Sequence, residues 1–328
     1  MLRSANGKDA AAVGAVDEPC AAGMTGAAAT AGAASAAGAS SASAPASGRR
    51  EGGPSPAGRG NAPSLEPSLA RRVAAALGAL CVAVLLLASG FIACVLPPTT
   101  SVLAQQASRA DARTAFSHDD MVAIACATRD YSFGNHDYVV LLQTIYQANA
   151  DASARAAASG RVLVGAPDLS NVDASDVAQL ERAFSGVNER FVYSADAVSH
   201  LDDCFAVAKA AYVALAVLAV LALACFAFAR DANLLGRAFF AAGVGILSLF
   251  AVLGIWAAAD FDGLFAAFHG VLFAQGNWTF PADSLLICAL PTEFWVGMGA
   301  VWFATSAIIS ILSILVGRRL AKKPAACR

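Results

Sequence analysis

Apolar residues along this chain gather into four runs, residues 73–96, 210–229, 238–259 and 295–316. Each reaches the roughly 20 residues that a helix needs to cross a bilayer. Pro97 and Pro98 close the first run, Arg237 precedes the third, and Arg318 with Arg319 closes the fourth. Residues 97–209 are too polar to span, and their pattern predicts mostly helix. Short amphipathic pieces cover 119–130 and 136–148, Ala-rich residues 150–160 extend the second piece, and a further helix covers 173–184. Ser194 is a favourable N-cap and Asp196 suits the first turn, so a helix starting there runs through His200 into the second span. Between the third and fourth runs, Phe261, Leu264, Phe265, Phe268 and Leu272 recur at helical spacing. That stripe is too short to cross and suits the membrane interface. The expected fold is all-α: a four-transmembrane-helix bundle, with a mostly helical extracytoplasmic domain between the first and second spans and a short interfacial helix between the third and fourth.

Composition agrees with this picture. Hydrophobic residues make up 58% of the chain and charged residues only 14%, well below the quarter or so usual in soluble domains. A net charge of -2 argues against nucleic acid as a partner. Residues 1–70 are Ala, Gly, Ser and Pro with no aromatic residue, a composition that predicts a disordered tail. The domains expected are therefore this tail and a membrane domain over 71–328 carrying the insert 97–209.

Charge sets the orientation. Arg71 and Arg72 precede the first span, Arg230 and Arg237 bracket the second connection, and Arg318, Arg319, Lys322, Lys323 and Arg328 follow the fourth span. Residues 260–294 hold no Lys or Arg. The positive-inside rule then places both termini in the cytoplasm, and 97–209 and 260–294 outside. Arg71-Arg72 followed by an apolar run and Phe91-Ile92-Ala93-Cys94 also has a loose likeness to a lipoprotein signal, but seventy preceding residues and the length of the run weigh against cleavage.

Candidate chemistry is sparse. Eight cysteines without a Cys-x-x-Cys pair suggest neither a disulfide framework nor a zinc site. Cys126 and Cys204 fall on the outer side and have the option of pairing there. No nucleophile elbow, phosphate-binding glycine loop or zincin motif is present, and no cofactor is called for. All four histidines fall on the outer side. His118 and His136 stand among polar residues and read as solvated surface. His200 has Asp203 at i+3 and Cys204 at i+4 on the same helical face, about 7.5 Å above the apolar stretch that begins at Phe205. His269 stands in an apolar interfacial helix, where an ionisable residue usually has a partner or a task. Asp202 or Asp203 is the expected orienting carboxylate for His200. Asn277 or Asp283 is the expected polar neighbour of His269. Trp278 suits an aromatic belt.

Two blocks give this chain a resemblance. One is Tyr193-Ser194 through His200-Leu201-Asp202-Asp203. The other is Phe268-His269-Gly270-Val271-Leu272-Phe273, then Asn277-Trp278, Asp283-Ser284-Leu285-Leu286 and Leu290-Pro291-Thr292-Glu293-Phe294. From the first span to the end, the chain resembles a bacterial integral membrane protein family that includes the lipoprotein intramolecular transacylases. It departs from the family at Asp203-Cys204, where Val-Lys is common, and at Ala289, where Phe is usual. The resemblance implies a multi-pass protein of the bacterial cell membrane that moves an acyl chain from a glyceryl ester to an N-terminal cysteine amine at the outer leaflet. Its partners would be membrane lipids and diacylglyceryl lipoproteins, and the two implicated family histidines match His200 and His269. One imidazole would act as base and the other would support the oxyanion or leaving group. Two alternatives stay open: a non-enzymatic assembly partner or sensor, and a metal site made from His200, His269 and Asp203.

Overall fold

A computed structural model of the chain describes residues 67–108 and 114–322, so the expected tail lies almost wholly outside the described residues. Within them the protein is helical and has no strand. Four helices are long and apolar enough to cross a membrane: α1 (Leu69–Val95), α6 (Ala195–Ala229), α7 (Ala232–Ala259) and α10 (Thr292–Ala321). Large apolar side chains such as Val213, Val220, Leu223, Val252 and Ile255 lie on their outer surfaces, exposed. Contiguous exposure on this scale marks a surface that faces lipid rather than water.

The spanning helices pack as two close pairs, α1 on α6 and α7 on α10, with α1 also touching α7 and α10. Between α7 and α10 small residues set the spacing. A Cβ on Gly317 would stand 2.6 Å from the carbonyl oxygen of Gly236, so only glycine lets these backbones meet. In a lipid-facing bundle, where no hydrophobic force separates protein from solvent, such close packing and interhelical hydrogen bonds hold helices together. Ser313 Oγ donates to the carbonyl of Phe239 at 2.9 Å, and Trp302 Nε1 donates to that of Leu87 at 2.7 Å.

The polar insert folds into α2 (Pro97–Ala107), α3 (His118–Phe133), α4 (Tyr138–Ala158) and α5 (Val177–Phe184). Its core joins Met121, Ile124, Leu141, Ile145 and Leu180 to Leu285 and Phe294 from the far end of the chain. The link between α7 and α10 forms the interfacial α8 (Phe261–Leu272) and one turn, α9 (Leu285–Ala289).

One expectation gains an addition and two helix starts need correcting. The pair Pro97-Pro98 ends α1, but it also starts α2, because proline at the first helical positions forfeits only N–H groups that lack partners anyway. The helix expected from residue 136 begins at Tyr138: His136 has φ 57° and Asp137 caps α4 through the amides of Val139 and Val140. The helix expected from residue 173 begins at Val177. Asp173 closes a turn by accepting from the Ser175 amide, and Asp176 is the cap.

α6 matters most for position. Its 35 residues extend about 52 Å at 1.5 Å per residue, against an apolar core of about 30 Å. The apolar residues 210–229 fill that core alone. The first four turns, which carry Asp196, Asp202, Asp203 and Lys209, project beyond it into the insert.

Candidate functional site

The projecting end of α6 is fixed before its first turn. Ser194 Oγ accepts from the Ala197 amide, and the hydroxyl of Tyr193 lies 2.6 Å from Thr128 Oγ1 on α3. Tyr193 is partly buried against the core of the insert, and burial pushes its phenol well above the usual range. It is therefore a neutral anchor. The rotation of α6 thus set carries His200 inward. On the other side Asp260 caps α8 by accepting from the Gly263 amide at 2.8 Å, and α8 turns His269 toward the same place.

The centroids of the two imidazoles are 6.1 Å apart, and the residues are only 8% and 6% exposed. Phe273 (4.7 Å) and Phe280 (5.9 Å) wall His200, while Phe265 (4.0 Å) and Trp278 (5.1 Å) wall His269. The tryptophan expected in an aromatic belt thus sits against a histidine. Nδ1 of His269 lies 2.9 Å from the Phe265 carbonyl oxygen, to which it donates. Nε2 of His200 lies 3.6 Å from Sγ of Cys204 one turn on, while its Nδ1 is buried with no partner in the protein. Burial pushes His200 down to about 4, reinforced by His269 and opposed by Asp203. Burial also lowers His269, opposed by its bond to Phe265. Both rings are neutral near pH 7, as general bases or neutral hydrogen-bond donors must be.

The expected supporting residues take other partners. Asp203 Oδ2 accepts from Gln275 Nε2 (2.6 Å) and Asn277 Nδ2 (2.9 Å), which ties α6 to the loop after α8. Asn277 also reaches Ser199 at 3.5 Å, so it meets the helix that carries His200 rather than His269 itself. Asp202 faces away from the pair. It accepts from the Tyr131 hydroxyl and stands 3.6 Å from Nε2 of His136. Asp283 pairs with Arg190 at 3.5 Å.

His118 is exposed, as read from the sequence, but His136 is not solvated surface. It is stacked between Tyr131 (4.2 Å) and Phe205 (4.0 Å). The left-handed turn at His136 folds the ring back over α3, and Gly134-Asn135 just before it is the only sequence signal of that turn. Gln275, Phe273 and Phe280 were missed because their role depends on a loop with no periodicity. Cys204 is a free thiol and does not pair with Cys126. Among the described residues no group of three or more His, Cys, Asp and Glu side chains is placed to hold a metal ion. A shallow cleft lies between α1 and α6 at the opposite end of the spans. Leu69, Val73, Leu77 and Phe228 line it with no chemistry-bearing group beyond Cys225.

The histidine pair therefore combines two neutral imidazoles, an aromatic wall and a carboxylate-held loop at the end of a membrane span. The family model for the lipoprotein intramolecular transacylase Lit matches residues 174–295. That stretch runs from just before α5 to the first turn of α10 and contains both histidines. No curated protein matches the chain, and no solved structure matches it.

Proposed function

We propose that this Lit-like membrane protein is an intramolecular acyltransferase of diacylglyceryl lipoproteins, working at the outer leaflet with His200 and His269 as its catalytic pair. The substrate would present its glyceryl ester from the bilayer and the free amine of its N-terminal cysteine from the polar side. The amine nitrogen attacks the ester carbonyl carbon and gives up a proton to one imidazole. A tetrahedral oxyanion forms, and the other imidazole stabilises it by hydrogen bonding. The bond from carbon to the glyceryl oxygen then breaks, and that oxygen takes the proton back from the first imidazole. The products are an amide and a free hydroxyl, with no net gain or loss of protons and no redox step.

The observation that carries this reading is the 6.1 Å separation of two buried, neutral rings from distant parts of the chain, within a stretch similar to the transacylases. Rings at that spacing are close enough to act on one substrate group. The one-sided Lys and Arg flanks support the outer-leaflet placement. The test is mass spectrometry of lipoprotein N-termini from cells with and without the protein. With it, the amine should carry the acyl chain and the glyceryl group should carry one chain fewer. His200→Ala and His269→Ala should each abolish that product while the protein still inserts. Unchanged lipoproteins would favour a non-enzymatic role.

A further inference from the structure

Hydrogen-bond chemistry distinguishes the two histidines, because each ring has one nitrogen already committed. The partner of His269 Nδ1 is a carbonyl oxygen, which only accepts. Nδ1 therefore holds the proton of the neutral ring, and Nε2 is left with a free lone pair. His200 has a different partner. Its Nε2 faces the thiol of Cys204, and a thiol is a poor acceptor beside an imidazole nitrogen. Burial pushes the Cys204 thiol up to about 12, helped by Asp203, so it keeps its hydrogen. The S–H then points at Nε2, and the proton of the neutral His200 ring belongs on Nδ1. That Nδ1 is buried and has no partner. An orphaned buried N–H is rare in proteins, and it is the kind of group that a reacting oxygen would satisfy.

We infer that Cys204 is a positioning residue whose thiol donates to Nε2 of His200 and keeps the proton on Nδ1, which makes His200 the oxyanion donor and leaves Nε2 of His269 as the general base. This rests on the acyl-transfer reading above. In the reaction written there, Nε2 of His269 takes the amine proton and returns it to the departing glyceryl oxygen. His200 donates its Nδ1–H to the oxyanion and is neither protonated nor deprotonated during the cycle. Cys204 forms no bond to the acyl chain.

Amide side chains separate these roles, since the amide nitrogen of Asn occupies roughly the place of Nδ1 and that of Gln the place of Nε2. The test uses the full-length protein in lipid nanodiscs with a diacylglyceryl lipoprotein, and initial rates of amide formation are measured. His200→Asn should keep a rate well above that of His200→Gln. His269→Asn and His269→Gln should both fall by about 100-fold or more, as expected for loss of a general base. Cys204→Ala should lose about 2–5-fold, because a tautomer mixture leaves only part of the rings with the proton on Nδ1, and Cys204→Ser, whose hydroxyl also donates to Nε2, should recover most of that. The opposite ranking, with His269→Gln active and His200→Asn dead, would reverse the roles and overturn the inference. So would Cys204→Ala at the full rate. Nitrogen-15 resonances of the His200 ring give a readout independent of turnover. They should show a protonated Nδ1 that becomes a tautomer mixture in Cys204→Ala. If the wild type transfers no acyl chain, the functional reading fails while these resonances still decide the role of Cys204. An unprotonated Nδ1 in the wild type would overturn it.

Discussion

Asn277 donates to Asp203 across 2.9 Å, joining the loop after α8 to the outer end of α6 over 74 residues of sequence. Gln275 donates to the same oxygen. Hydrogen bonds to a carboxylate contribute about 1.5–3 kcal/mol when well made. Asp203→Ala should therefore slow acyl transfer by about tenfold or more, because His269 and its aromatic wall are held to His200 through this loop. Asn277→Ala should cost less, since Gln275 remains. In the double variant the two losses should fall short of additive, as for residues in one network. Full additivity in initial rates would mean that the carboxylate and the amide act separately.

A pH profile follows from the buried rings. His200 and His269 both titrate below the ordinary histidine range because burial disfavours the charged form. The rate should fall with unit slope below the substrate amine, near 7.7, and steepen only below about pH 6.5 as the imidazoles begin to protonate. Stability follows the same sign. With folded-state values below the unfolded value of about 6.5, the unfolded chain binds more protons as pH drops. The melting temperature should hold above pH 6.5 and decline from there toward pH 4. A second downward break in rate above pH 6.5, or a melting temperature that rises on acidification, would contradict this.

On the far side of α6, Tyr131, Asp202 and His136 form a separate brace. Burial first, and then the bond to Asp202, pushes the Tyr131 phenol well above its usual range, so it remains a donor. Tyr131→Phe removes that donation and should cost about 1 kcal/mol, since Asp202 is half exposed and partly screened. His136→Ala also removes two ring stacks, each contributing about 0.5–1.5 kcal/mol, and should destabilise more. Thermal unfolding of the detergent-solubilised protein checks the order. Equal effects would show that the stack contributes nothing.

Topology is testable without activity. A reporter active only outside the cell should work when fused after Ala104 or Pro281 and be silent after Ala232 or at Arg328, from the one-sided Lys and Arg flanks. A signal at Arg328 would break the four-span arrangement.

Apolar run length alone made the four long apolar helices legible. The continuous passage of α6 from Ser194 into the membrane was also readable, because Ser194 caps it and no Gly or Pro interrupts residues 195–229. Sequence singled out His200 and His269 as the candidate pair, but their ring spacing is a tertiary fact that periodicity does not contain. Neither Asp202 nor Asp203 hydrogen-bonds the neighbouring imidazole. Helical spacing shows which residues share a face, whereas a competing amide or phenol from another segment takes the carboxylate. The aromatic sandwich around His136 was hidden for a similar reason: one residue with positive φ redirects a ring in a way that local polarity does not signal.

The unbroken length of α6 makes the histidine site mechanically answerable to the bilayer. Residue 200 lies about 29 Å along the helix axis from the middle of its apolar stretch, so the span works as a lever arm. A 10° change of tilt, of the size that helices adopt to match a thinner or thicker bilayer, would sweep His200 sideways by about 5 Å. That is close to the 6.1 Å separating the two rings. Asp203 and Asp202, about 100° apart around the helix and bound to different segments, are guy-ropes against that sweep. Turnover should accordingly peak at one acyl-chain length of the host lipid and fall on either side, and the fall should be steeper in variants with either tether cut.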